Sequence, residues 1–254
     1  MILRFLILGL FFLTASLLPE AAYAQAISID LGGDNSGTVT GRVVQLVALL
    51  TVLSLAPSIL IMMTSFTRIV VVLSFLRTAI GLQQTPPNTV MISLALFLTF
   101  FIMAPTFKSA YENAIVPLMN EEIDEIQAFD KGVEPFKTFM IQHVRPQDLR
   151  LFMEMSETPT PEDIMETPIT VLIPSFMISE LRRAFEIGFM LFLPFLIIDL
   201  VTASILMSMG MMMLPPITIS LPFKIIFFVL VDGWYLIAGS LIRSFDVVNV
   251  PVPG

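Results

Sequence analysis

The chain has 254 residues, of which 56% are hydrophobic and 13% charged, about half the roughly 25% charge of an ordinary soluble domain. Its formal net charge is −8, with no cysteine and a single histidine, His143. Disulfides, thiol chemistry, cysteine metal sites and a basic nucleic-acid footprint are therefore excluded.

Apolar runs of about 18 residues or more recur, which marks an integral membrane protein. Most acidic residues fall between Glu112 and Glu180, so the negative charge describes one hydrophilic segment and not a ligand. His143 stands outside any acidic constellation and reads as a packed or surface residue.

Residues 1–24 read as a secretory signal peptide. Arg4 supplies the positive start, residues 5–18 are apolar, and Ala22-Tyr23-Ala24 gives a small-x-small cleavage site. An uncleaved span is the rival reading, disfavoured by Pro19 directly after the apolar run. Residues 25–42 form a Gly-, Ser- and Asn-containing periplasmic leader.

The first expected span is 43–64, about 33 Å long as a helix, with a kink at Pro57. Residues 64–81 follow as a further apolar helix carrying Arg68 and Arg77 on opposite faces. Two readings stand for it: an interfacial helix whose arginines snorkel to headgroups, or the return arm of a hairpin buried against partner subunits. Residues 82–88 make a turn, and the second span runs over 89–107, ended by Pro105. Together 43–107 constitute the first membrane hairpin region.

Residues 108–184 are expected to form an acidic helical exterior domain. Asn120 is its candidate N-cap. Pro135, Pro146 and Pro161 are placed at first helical positions, and Thr160 caps the last of these helices with Asp163 three residues on. Leu149, Phe152 and Met153 share a face, and Arg150 pairs with Glu154. A core made by so short a segment alone is too small, so copies are expected to pack together.

The second hairpin region, 185–246, holds spans at 185–206 and 221–242, followed by a tail, 247–254. Export of the N-terminus places 65–88 inside, the acidic domain outside, 207–220 inside and the C-terminus outside. The loop at 207–220 carries no charge, unlike an ordinary short cytoplasmic loop. Within it, MSMGMMM packs five of the seventeen methionines into seven positions. Methionine is flexible and polarizable and adapts to changing partners. Methionines in a span are commonly lipid-facing or core, but this clustering around Gly210, before Pro215-Pro216, suits a hydrophobic constriction lined by several copies.

Ionisable groups in apolar sequence usually face a protein interior. Asp199 and Asp232 lie deepest, each near mid-span. They read either as a proton relay or as structural groups, paired with Arg68, Arg77 or Lys224 across subunits or exposed to a water-filled vestibule, the structural reading being favoured. Glu186 and Arg243 lie at span ends. Glu180, Arg182, Arg183 and Glu186 are candidates for contacts between subunits.

Three stretches, PSFMISELRRAFEIGF (174–189), LPFLIIDLVTASILMSMGMMMLPP (193–216) and SFTRIVVVLSFLRTAIGLQQTPPN (65–88), closely resemble the FliP family of type III export-gate subunits. The resemblance covers about 41–246. It implies a non-enzymatic channel and gate subunit in the flagellar basal body at the bacterial inner membrane, conducting unfolded flagellar proteins and needing no cofactor. It further implies a pentamer joined by FliQ-like, FliR-like, FlhB-like and FlhA-like proteins, much of it raised above the membrane. By the same resemblance, Met207, Met209, Met211, Met212 and Met213 form a gasket. The expected architecture is all-α, with about four spans in hairpins and a small helical exterior domain. The alternative function is a proton-coupled transporter using Asp199 and Asp232, against which the missing inverted repeat argues. A membrane enzyme lacks any nucleophile–base or metal constellation.

Overall fold

The computed structural model describes residues 39–156, 161, 163–211 and 214–246. The signal peptide, the leader up to 38, the Thr160 cap, Met212, Met213 and the tail lie outside the described residues. The described chain is helical, with no strand in it. Residues from 50 onward form one compact unit; those through 49 form another, whose described part is the first stretch of helix α1.

Helix α1 (Val39–Met62) contains Pro57 and overlaps the stretch 43–64 expected as the first span. A buried turn, Met63 to Ser65, leads into α2 (Phe66–Ile80). There Ile69, Val72, Leu73, Leu76 and Ile80 recur at helical spacing and are all buried. Gly81, at φ 91°, ends α2: its N–H bonds to Thr78 O, and that of Leu82 to Arg77 O. Only a left-handed residue closes a helix this way at low cost.

The partner of α2 is α7 (Ile169–Ser208), a single helix of 40 residues, about 60 Å long. Thr67 meets Met177, Arg68 meets Glu180, and Phe75 meets Phe185. Numbers rise together, so the two helices run parallel. Gly188 lets them approach: a Cβ there would lie 2.6 Å from a ring carbon of Phe75.

Helix α3 (Asn88–Ala110) turns back, stapled by Arg77 Nη1 donating to Asn88 Oδ1 at 2.6 Å. A π-helical turn, Tyr111–Ile115, carries it into the short α4 (Val116–Met119). Helices α5 (Glu125–His143) and α6 (Pro146–Met155) follow, and a 3-10 turn (Ile164–Glu166) precedes α7. Helices α8 (Pro216–Leu230) and α9 (Gly233–Asp246) complete the chain.

The acidic segment does not make a core of its own. Phe136 packs on Phe107 of α3, and Phe139 packs on Phe176 of α7 and Phe245 of α9. Buried residues of α2, α3, α5, α6, α7, α8 and α9 join one apolar cluster. Each such side chain contributes about 1.5–3 kcal/mol by leaving water, which short helices need from their neighbours.

Several expectations are corrected. Pro105 does not end its helix, because Met103 is fully buried and Phe107 packs against α5; that packing offsets the ~3 kcal/mol of an interior proline. Asn120 closes α4, with Glu121 left-handed at φ 58°. The cap of α5 is Asp124, which accepts from Gln127 N at 2.7 Å. Pro135 lies inside α5, whereas Pro146 does begin α6. Pro161 precedes a 3-10 turn capped by Asp163. Arg150 donates to Pro146 O and not to Glu154.

Among the described residues two helical stretches, Asn88–Met119 and Ile169–Ser208, are long and apolar enough to cross a membrane, and α8 with α9 adds a third if the pair, bent by 63°, counts as one. The fourth expected span is thus broken at Asp232, which takes φ 50°. Asp232 sits at an exposed bend, not mid-span. Nor is 65–88 a free inner loop. Arg68 touches Glu180 and Ser244, which span counting placed on the other side. Side-chain recognition, and not alternation of spans, sets where α2 lies.

Candidate functional site

The methionine segment begins where α7 stops. Gly210, at φ 72°, donates its N–H to Met207 O, and Met211 N–H bonds to Leu206 O. This six-to-one closure needs a left-handed residue, which explains a glycine inside the methionine run. Pro215 caps α8 and Pro216 occupies its first turn, where a missing N–H costs nothing. The loop is therefore a helix stop and a helix start separated by a few residues.

Its described side chains are largely exposed. Met207, Met209 and Met211 are 58%, 61% and 42% exposed, and a Cβ at Gly210 would meet nothing within 4 Å. Beside it lies an apolar groove of 540 Å³, lined among others by Ile197, Val201, Ile205, Met209, Met211 and Phe223. Exposed apolar residues continue along α7 and α8, including Phe189, Leu196, Leu200, Ile217 and Ile226. A water-facing monomer does not carry so large a patch.

Below the loop is a small polar network. Asp199 Oδ2 accepts from Lys224 Nζ at 2.6 Å, and Oδ1 accepts from Ser220 Oγ at 2.6 Å. Lys224 Nζ also donates to Ala79 O, in the last turn of α2, where the helix leaves carbonyls unpaired. Ser220 and Lys224 are buried. Of the partners expected for Asp199, the structure selects Lys224, within the same chain.

A second network lies deeper. Arg68 Nε donates to Glu180 Oε2 at 2.8 Å, and Nη2 donates to Oε1. Nη1 reaches Ser244 O at 3.1 Å and Ser244 Oγ at 3.0 Å, and the guanidinium lies 3.7 Å from the centroid of the Phe245 ring. Arg68 and Glu180 are 1% and 0% exposed. Arg68 thus neither snorkels nor faces a partner subunit. It satisfies the Ser244 carbonyl at the negative end of α9. Glu180 is spent in this pair and offers no free surface. Arg182 and Glu186 form an exposed i,i+4 pair at 2.9 Å, Arg183 is half-buried, and exposed Arg243 donates to Gly239 O.

His143 packs beside these groups, its ring nitrogens 2.8 Å from Phe139 O and 3.4 Å from Phe245 O. Burial pushes its pKa below the ordinary histidine value, and the nearby Arg68 and Arg183 push the same way. At the α5–α6 corner, hydrogen bonds from Arg145, then from Ser179, hold the Asp148 carboxyl below the usual range against its burial. Among the described residues no cluster of acids and histidine is disposed to hold a metal.

The sign of the histidine effect follows. The unfolded chain takes up a proton near pH 6.5, the folded chain only below that. Stability is therefore full above about pH 6.5 and declines as pH falls beneath it. Thermal melts should show a lower midpoint at about pH 5.5 than at about pH 7.5, and His143→Gln should flatten that slope. Asp148, with its depressed pKa, contributes stability lost only at far lower pH.

The sequence itself singled out the methionines, Asp199 and Lys224. Ser220 was missed, although it stands four positions before Lys224 on the same helical face. Ser244 and Phe245 could not be found, since 176 positions separate Ser244 from Arg68 and no local pattern relates them.

Comparison with known proteins adds identity to this geometry. The FliP family model matches residues 49–241. The flagellar biosynthetic protein FliP of Caulobacter vibrioides is 60% identical over 235 residues, covering 92% of this chain and 88% of its own. The protein of the same name from Bacillus subtilis is 60% identical over 202 residues, covering 80% and 91%. That from Pectobacterium carotovorum is 48% identical over 240 residues, covering 94% and 92%.

Proposed function

The chain belongs to the FliP family, and from that premise we propose that it is a core channel and gate subunit of the flagellar type III protein export apparatus. Several copies, five by family resemblance, surround a path through the bacterial inner membrane within the basal body. Unfolded flagellar proteins pass along it. FliQ-like, FliR-like, FlhB-like and FlhA-like proteins complete the assembly, and the energy comes from outside this chain.

The observation that carries the gate reading is the methionine loop. It is closed off at both ends by helix signals, carries no charge, and its described methionines are largely exposed. Unbranched thioethers from several copies would seal against water and ions, then move aside for an unfolded chain. Met212 and Met213 extend the same run in sequence. The length of α7 supports a raised assembly: about 60 Å is twice the hydrocarbon thickness, so part of it stands outside the bilayer.

In the triple variant Met209→Ala, Met211→Ala, Met212→Ala, ion conductance of the membrane should rise while secretion is largely retained. Conductance equal to that of the unaltered protein removes the gate role. The transporter reading has less support. Asp199 is spent on Lys224 and Ser220, and Asp232 sits at a separate bend, so no relay joins them.

A further inference from the structure

We propose that Asp199, Ser220 and Lys224 form a latch that pins the two ends of the methionine loop together and so sets its position. The inference rests on the gate reading above and adds the residues that hold the gate.

The loop itself has few ties. Its hydrogen bonds among the described residues are local: Met209 N–H to Ile205 O, Gly210 N–H to Met207 O, Met211 N–H to Leu206 O and Leu214 N–H to Met211 O. None crosses from α7 to α8. The polar crossing is made by one carboxylate on α7, each oxygen taken by a different donor on α8, beside the packing of Phe195 on Phe227 and Phe228. Serine and lysine four residues apart present both donors on one helical face. One charge-assisted bond at each oxygen fixes distance and rotation together, which a single bond cannot do.

A third helix enters through the lysine. Lys224 Nζ bonds to Ala79 O, and a Cβ at Gly81 would touch Leu221 at 3.3 Å. The C-terminal end of α2 is thus seated on α8. At its other end α2 is held by Arg68 to Glu180 and Ser244. The hairpin carrying the methionines is therefore braced against a strut fixed to the rest of the fold, while the described methionines stay largely exposed. Asp199, Ser220 and Lys224 are positioning residues: none needs to touch a passing chain.

The test uses the absence of cysteine in this chain. Leu214→Cys places one thiol beside the loop, and its reaction with a maleimide is followed in membranes containing the assembled complex. Losing a charge-assisted tie should raise the labelling rate roughly tenfold in Lys224→Met, and several-fold in Ser220→Ala, with raised ion leakage in both. Ser220→Ala removes one bond and no charge, so it decides the matter if Lys224→Met fails to accumulate. Unchanged labelling in the variants that assemble overturns the latch. Faster labelling without leakage upholds the latch and overturns the gate reading instead.

Discussion

Arg68→Met should be among the most damaging single substitutions in the chain, lowering stability by about 3–5 kcal/mol. The arginine is buried to 1% exposure and holds both oxygens of Glu180 as well as the Ser244 carbonyl. Removing it strands a carboxylate that has no exposure of its own, and it releases the end of α9. A surface pair is expected to behave differently. Breaking Arg182–Glu186, where both side chains are more than half exposed, should change stability by less than about 1 kcal/mol.

The cost arises from an uncompensated charge, so it should shrink when both partners go. Arg68→Met with Glu180→Leu should recover most of what either change loses, since well-packed apolar pairs often replace buried ion pairs at little cost. Melting of the detergent-solubilised protein, followed by circular dichroism, reads all three variants. A double variant as unstable as the sum of the singles would mean that the tie to Ser244, and not the charge, dominates.

The second large effect is expected at Gly188. Alanine has the better helix propensity by about 1 kcal/mol, yet Gly188→Ala should destabilise. The new methyl would lie 2.6 Å and 2.7 Å from two ring carbons of Phe75 and 3.1 Å from its Cβ. The Cβ is fixed to α2, so the ring cannot simply swing clear and the helix must shift. Overpacking of this kind costs about 1–3 kcal/mol, and Gly188→Leu should cost more than Gly188→Ala. Phe75→Ala on the Gly188→Ala background should be less harmful than the two single losses added together. Additive losses would show that Phe75 is not the obstacle.

Both sites show what the amino-acid order reveals and what it withholds. Elements governed by local chemistry were legible. The first turn at Pro146 follows from a residue that favours one backbone geometry; the same chemistry stops α7 at Gly210 and starts α8 at Pro215-Pro216, although the expected loop ran from 207 to 220 and took in the first turn of α8. The apolar runs marked the membrane-grade helices for the same reason. Boundaries decided by packing were not legible. Pro105 read as a helix end and Pro135 as a helix start, but both lie inside helices whose adjoining turns are buried by neighbours. Asn120-Glu121-Glu122 imitated a helix start because Asp124-Glu125, just beyond, offers the same chemistry. Charge pairing was legible only in kind. Asp199 had three candidate partners, and choosing Lys224 required knowing that α8 folds back on α7. Arg68 and Glu180 stand 112 positions apart, and only the parallel packing of α2 on α7 makes them neighbours.

The central claim is that the methionine loops of several copies surround the exported polypeptide. A cryo-EM map of the whole export complex, with a substrate protein stalled inside it, tests this most directly. Continuous substrate density is expected to pass through a ring made by residues 207–213 of neighbouring copies, with the methionine side chains in contact with it. Substrate density on another path, with those loops turned toward lipid, would contradict it.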